Sequence, residues 1–303
     1  MIVKTENNVG KKVILEAAAR SETGKVRGNN EDNLCIDGEL FSAIQLDEGV
    51  RFADAFDFPC VLGICDGMGG QDYGEFASAI TAQAIAEFRD ALCGDDSEKA
   101  IAEFAKTANT RICGEITATG KRIGTTGAVV IFKTDSVISV NVGDSRIYHY
   151  QNGSLFQVSV DHTEAQMKIN MGLMTPEQAE TDSSRHRLTQ YFGMFEEEMI
   201  LTPAISAKTP ELGDIYLICS DGLTDMVSDV SIAEIIGHGG TASKIADNLV
   251  TAALAAGGGD NVTVAVAKIT EAEDDRPLVK RLFSGKKTRL NPNTKHRSIF
   301  DFR

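Results

Sequence analysis

Apolar positions along the chain alternate between two regimes, and each regime predicts its own kind of element. Residues 61–65 form an unbroken apolar run that stops at Asp66 and continues as Gly67-Met68-Gly69-Gly70, the pattern of a buried strand ending in a tight turn. Phe76, Ile80, Ala84 and Phe88 then recur every four residues, with Ile85 and Leu92 widening the stripe, so the spacing predicts an amphipathic helix. A second helix is predicted over 97–116 through Ile101, Phe104, Ala108 and Ile112, ending near Gly120. The register then shortens. Residues 127–132, 137–142, 145–150 and 155–158 are rich in β-formers and divided by turn residues. Asn152-Gly153 between the last two is a hairpin signal, because both residues tolerate positive φ.

On either side of this block the same reading continues. Residues 13–20 read as an edge-type strand, 24–33 as a polar turn-rich loop, and 38–58 as an acidic, irregular stretch holding one strand and an excursion. Short helices are predicted over 164–172 and 175–181, the second with Thr175 as N-cap, Pro176 at the first helical position and Gln178 completing a capping box. Residues 183–193 are polar and irregular and suit a mobile flap. Strands are expected at 199–206, 214–219 and 262–269, and helices through Ile232, Ile235 and Ile236 and over 241–256.

Composition narrows the class. Of 303 residues 42% are hydrophobic, which supplies a core and argues against global disorder. No apolar run is long enough to span a bilayer, and residues 1–12 lack the apolar block of a secretory signal, so a cytoplasmic protein is expected. The six cysteines are scattered without a C-x-x-C pair, which fits reduced thiols and disfavours zinc. Charge is unevenly divided: residues 276–303 carry nine Lys/Arg against one acid, leaving 21 Lys/Arg and 43 Asp/Glu in the remainder. So acidic a body argues against a nucleic-acid-binding core. The basic tail, 271–303, stands apart from a domain over 1–270 and could dock an acidic partner or a membrane surface.

Candidate chemistry gathers at strand ends. Asp66 sits at the mouth of a buried strand, where a carboxylate is costly unless paired or bound to metal, and its glycines let backbone approach a ligand. A carboxylate beside an exposed backbone carbonyl offers oxygen-only coordination, which suits Mg²⁺ or Mn²⁺. Alone, the string also reads as an Asp-Gly turn after a core strand. The device recurs, however, at Ser220-Asp221-Gly222 and at Gly259-Asp260-Asn261, and a loop with Arg27 ahead of Glu31-Asp32 adds further carboxylates. Like charges gathered closely need cations, so a two-metal hydrolytic site is the natural reading.

Seven motifs in order carry a resemblance: Arg27-x-x-Asn30-Glu31-Asp32, Asp66-Gly67-Met68-Gly69-Gly70, Gly124-Thr125-Thr126, Asn141-Val142-Gly143-Asp144-Ser145-Arg146, Asp161-His162-Thr163, Ser220-Asp221-Gly222-Leu223 and Gly259-Asp260-Asn261-Val262-Thr263. Over about residues 13–269 the sequence resembles the PPM, or protein phosphatase 2C-like, metal-dependent serine/threonine phosphatases in their bacterial form. The resemblance implies an α+β, four-layer α-β-β-α sandwich: two stacked antiparallel sheets flanked by helix pairs. It implies hydrolysis of phosphoserine and phosphothreonine on proteins by a metal-bridging hydroxide, with two Mn²⁺ or Mg²⁺ ions and room for a third.

By residue, the resemblance implies that Asp66 bridges the ions with the Gly67 carbonyl on one of them. Asp221 and Asp260 complete the other, while Glu31 and Asp32 act mostly through water. Arg27 clamps the substrate phosphate, Asp144 with Asp221 serves a third metal, and residues 164–193 form the variable flap. It also implies a monomer acting on phosphoproteins and opposing a Ser/Thr kinase. Where the animal form has a histidine to protonate the leaving oxygen, this chain has Met68, a thioether that cannot donate. His162 and His186 are the nearest alternatives, His162 reading as structural and His186 as an exposed flap residue, and a metal-bound water is the other source. Thr125 and Thr126 read as core or turn hydroxyls. Two other readings stay open: a catalytically weak regulatory module of the same fold, and a small-molecule phosphomonoesterase.

Overall fold

The computed structural model describes residues 11–69 and 73–273. In chain order its strands are β1 (Lys11–Glu22), β2 (Asp32–Ile36), β3 (Glu39–Leu40), β4 (Val50–Phe56), β5 (Cys60–Gly69), β6 (Ile123–Thr125), β7 (Gly127–Phe132), β8 (Val137–Val142), β9 (Arg146–Gln151), β10 (Ser154–Gln157), β11 (Ala204–Lys208), β12 (Ile215–Cys219) and β13 (Val262–Glu273). The α-helices are α1 (Ala43–Glu48), α2 (Gly74–Leu92), α3 (Ser97–Thr119), α4 (Glu164–Asn170), α5 (Pro176–Ala179), α6 (Asp221–Thr224), α7 (Asp229–Gly237) and α8 (Ala242–Ala256).

Two antiparallel sheets form, one in the order β10-β9-β12-β13-β1-β4 and the other β11-β8-β7-β5-β2-β3, with β6 paired to β5. Their inner faces meet in a core that includes Leu15, Leu34, Leu62, Ile64, Phe132, Tyr216 and Ile218. On the outer face of the second sheet Val61, Cys65, Val129 and Ile131 pack against α2 and α3. On the outer face of the first, Leu217, Val264 and Val266 pack against α7 and α8. The central strands are therefore buried on both sides, which is why β5 and β12 read as continuous apolar runs rather than alternating ones. This is the α-β-β-α sandwich that the resemblance implied. The six cysteines are free, and all but Cys113 are buried.

Several elements differ from their sequence reading. The stretch 38–58 is not irregular: it holds β3, α1 and β4, with α1 started by a Ser42–Gln45 capping box. β4 is hard to see because it covers the sheet edge, and only Val50 is fully buried. By pairing with β1 from Leu15↔Phe56 to Ser21↔Val50, it turns β1 from the expected edge strand into an interior one. The buried face of α2 is also rotated. Phe76 is 44% exposed, and the helix instead turns Ala77, Ser78, Thr81, Ala84 and Ile85 to the sheet. Small side chains allow the close approach, and a Cβ on Gly63 would lie 2.6 Å from Ile85 Cδ1. The expected strand at 199–206 forms later, as β11, where it can pair with β8. The Asn152-Gly153 turn has both residues at positive φ, and the Thr175 capping box is present, as expected. Residues 271–273, expected to open the basic tail, continue β13, and the rest of the tail lies outside the described residues.

Candidate metal centre

The carboxylates come together because the strands that carry them end at the same edge of the sandwich. Asp32 opens β2 and pairs in register with Asp66 near the end of β5. Asp221 begins α6, directly after β12, and Asp260 lies just before β13, the neighbour of β12. Asp144 sits in the turn between β8 and β9. Arg27, Glu31, Asp66, Gly67, Asp144, Asp221 and Asp260 line one pocket, and Asp32 lies buried behind it.

The main chain of Asp66 is fixed at both polar groups. Its N–H donates to Thr126 Oγ1 at 2.9 Å, and its carbonyl accepts from Thr125 Oγ1 at 2.8 Å and from the Thr126 N–H at 2.9 Å. Thr126 Oγ1 also bonds Ser145 Oγ at 2.7 Å, linking Asp66 to the turn that presents Asp144. Thr125 and Thr126 are thus the buried structural hydroxyls the sequence suggested. At Gly67 an added Cβ would come within 2.3 Å of the Gly74 carbonyl oxygen and 2.6 Å of the Glu31 carbonyl oxygen, so only glycine fits where β5, the Arg27 loop and α2 converge. At Gly222 it would meet the Asn261 carbonyl oxygen at 1.9 Å, which is how closely the segments bearing Asp221 and Asp260 are packed.

The electrostatics favour a cation. Burial, reinforced by Asp32, Asp221, Asp144 and Asp260, drives the Asp66 carboxyl well above its ordinary range. Asp144 is driven the same way by burial, with Asp221 and Asp161 adding to it. Burial also lifts Asp32 to about 7, against hydrogen bonds from Thr263 and Ser220 that favour its charge. Asp221 is lifted to about 6 by burial and then by Asp225 and Asp260, and it shares a hydrogen bond with the Asp66 carboxyl. Asp32 Oδ1 is buried with no partner at all. An orphaned carboxylate oxygen beside acids that share protons, with oxygen the only donor element, fits hard divalent cations. Arg27 is the expected clamp, and Nη2 donates to Asp260 Oδ2 at 2.6 Å. Its guanidinium is 49% exposed and is held in its charged form chiefly by that bond.

The flap segment is tied at both ends, by a Thr163–Leu188 bridge and a Thr125–Phe192 bridge. Of the two histidines considered as proton donors, His186 lines the pocket and His162 does not. His162 Nδ1 accepts from the Gly143 N–H at 3.3 Å, and burial holds its imidazole below the ordinary value. His186 Nδ1 lies 3.7 Å from Asp225, which also pairs with Arg185 at 3.1 Å. The sequence reading missed Asn261. Its Oδ1 accepts from the Glu31 N–H at 2.8 Å, and its Nδ2 donates to the carbonyls of Thr23 and Asn29 at 2.9 Å each, pinning the Arg27 loop. Asp47 of α1 was missed as well, and its Oδ1 accepts from the Asn30 N–H at 2.8 Å. Asn261 was visible as part of a motif but not as a clamp, whereas Asp47 belongs to the helix that the irregular stretch concealed.

Fold and site together define a metal-binding α-β-β-α sandwich. The family model described as protein phosphatase 2C matches residues 50–244, and the chain belongs to that family. It is 32% identical over 287 residues to the serine/threonine protein phosphatase PstP of Mycobacterium tuberculosis, an alignment covering 93% of this chain and 51% of PstP. The chain thus spans about half the length of that relative. With the serine/threonine phosphatase stp of Listeria monocytogenes it shares 30% identity over 258 residues, 82% of this chain and 94% of that protein. The crystal structure of the catalytic domain of PstP in complex with two manganese ions superposes with a TM-score of 0.70 at 31% identity, covering 86% of this chain and all of that one.

Proposed function

We propose that the chain is a metal-dependent protein phosphatase that hydrolyses phosphoserine and phosphothreonine on proteins. The observation that carries the reading is the convergence of Asp66, Asp221, Asp260 and Asp144 on one pocket whose wall also holds Arg27, with Asp32 buried behind it in register with Asp66. Asp66, the Gly67 carbonyl, Asp221 and Asp260 would hold two Mn²⁺ or Mg²⁺ ions, with Glu31 and Asp32 acting through water and Asp144 with Asp221 serving a third. Ions held there lower the pKa of water and offset charge on a transferring phosphoryl group.

The chain's own residues do the rest. Arg27 has a planar fork suited to two phosphate oxygens, and substrate binding would exchange Asp260 for phosphate as its partner. Asn261 and Asp47 hold the Arg27 loop in place for that exchange. Met68 cannot donate a proton to the departing serine or threonine oxygen. That proton would come from a metal-bound water or from His186, which lines the pocket wall 3.7 Å from Asp225.

The relatives' names support phosphoprotein substrates. The same reading makes the chain a cytoplasmic monomer opposing a Ser/Thr kinase, with the basic tail docking an acidic partner or membrane surface. No helix among the described residues is long and apolar enough to cross a membrane. The test is hydrolysis of a phosphothreonine peptide with Mn²⁺, with EDTA and with Asp66→Asn. Turnover that needs the metal and vanishes in the variant supports the reading. Mn²⁺ binding without turnover of any phosphoester favours a regulatory module, and turnover confined to small phosphate esters favours a phosphomonoesterase.

A further inference from the structure

Met68, Leu188 and Tyr191 bring apolar surface to the wall of the pocket that holds the acids. Strand geometry sets two of them side by side. Met68 lies two residues beyond Asp66 on β5, so the two side chains share one face of the strand. Across the ladder Met68 pairs with Gly124 of β6, and directly opposite residues also share a face. Gly124 has no side chain to put there, and the Tyr191 ring takes the place. An added Cβ at Gly124 would lie 2.6 Å from Tyr191 Cδ2 and 2.9 Å from Cε2. Thioether and phenol ring therefore adjoin on the face that carries Asp66.

The ring is held there through its chain neighbours. The Phe192 N–H donates to the Thr125 carbonyl at 2.8 Å, and the Thr125 N–H donates back at 3.0 Å. The Phe192 ring is buried against Phe104, with 5.9 Å between centroids. Gly193 follows at φ 111°, its N–H donating to Asn109 Oδ1 at 2.7 Å. Thr125 is also the residue whose hydroxyl donates to the Asp66 carbonyl, so the ring and the acid are referred to one strand. Tyr191 is nonetheless only half-buried, and its open side belongs to the pocket.

Two residues along a strand and one strand across put the ring about 8 Å from Asp66. The methyl of a phosphothreonine, two bonds from the ester oxygen, falls short of that. The next residue of a peptide reaches it, because its Cα follows at about 3.8 Å and its side chain extends further. An aromatic ring beside a thioether offers contact area without charge. We propose that Tyr191, with Met68, is a specificity-determining residue: ring and thioether receive an apolar side chain flanking the phosphorylated residue, so phosphopeptides with a large aliphatic neighbour are favoured. This deepens the proposed function and rests on it. A small phosphate ester has nothing to place on this wall.

The test measures kcat/KM with Mn²⁺ for two phosphothreonine peptides that differ only in carrying leucine or serine on both sides of the phosphoresidue. Wild type is expected to favour leucine about tenfold, the effect of burying part of such a side chain. Tyr191→Ala should bring the ratio to within about twofold of unity, while Tyr191→Phe, which keeps the ring, should preserve it. A wild-type ratio near one, or a ratio that Tyr191→Ala leaves unchanged, overturns the assignment. Should Tyr191→Ala fail to fold, Met68→Ser removes the other half of the wall and is expected to lower the ratio too; an unchanged ratio there also overturns it. Turnover of both peptides at equal efficiency refutes the subsite alone. A wild-type chain that turns over neither peptide refutes the phosphatase reading, and this one with it.

Discussion

Gly222→Ala concentrates the logic of the site in one methyl group. An ideal Cβ at position 222 would stand 1.9 Å from the Asn261 carbonyl oxygen and 3.3 Å from Val262 Cα. Ordinary contact begins near 3.4 Å, so the two backbones must part by about 1.5 Å at the oxygen, and neither is a flexible side-chain tip. Asp221 is the residue before the new methyl, and Asp260 is the residue before the carbonyl it strikes. A metal or catalytic constellation tolerates about 0.5 Å, and a 1 Å misplacement costs roughly 100-fold in rate. We therefore expect turnover of a phosphothreonine peptide to fall about 100-fold with a loss of Mn²⁺ affinity, for only about 1–3 kcal/mol of lost stability. At some 2–4 °C per kcal/mol the protein stays folded at assay temperature. The matched control is Gly114→Ala: this glycine is exposed within α3 with nothing within 4 Å of the added atom, and alanine should stabilise the helix by about 1 kcal/mol and leave turnover unchanged. Turnover and Mn²⁺ affinity within about threefold of wild type in Gly222→Ala would refute the claim that this backbone contact sets the spacing of the two ligands.

Two further outcomes follow from the site. His186→Gln should slow a phosphothreonine peptide about 100-fold and hardly affect p-nitrophenyl phosphate, whose leaving group needs no proton; equal losses on both would show that His186 is not the donor. In EDTA, thermal stability should fall as pH rises from about 5 to about 7.5, because Asp221 and Asp32 titrate at about 6 and about 7 in the fold but near 4 when unfolded. His162, lowered by burial, opposes this in the lower part of the window, but the raised acids Asp32, Asp66, Asp144 and Asp221 outnumber it. Raising pH therefore removes stability, and excess Mn²⁺ should flatten the slope by taking the protons' place. The acids shifted the other way, Asp182 and Glu177, act below the window. A melting temperature that rises with pH in EDTA would contradict the assignment.

What the sequence settled by itself were the buried strands and the acids at their ends. β5, β7, β8 and β12 announce themselves because both faces are covered, and a strand with no solvent face needs no alternation to be recognised. Asp66, Asp221 and Asp260 could be picked out because a carboxylate closing such a strand is costly without a partner, and the device occurs three times. What the sequence could not settle was whatever depends on a neighbour distant along the chain. β4 carries almost no apolar signal and exists because β1 offers it an edge. The inward face of α2 is set by how closely Gly63 lets Ile85 approach, not by where its largest side chains fall. In one dimension His162 reads as structural and His186 as an exposed flap residue, and only the fold shows that His186 lines the pocket while His162 does not. Ser220 donates to Asp32 Oδ2 at 2.8 Å across 188 residues of chain, a contact that exists only because the fold brings the start of β2 to the end of β12.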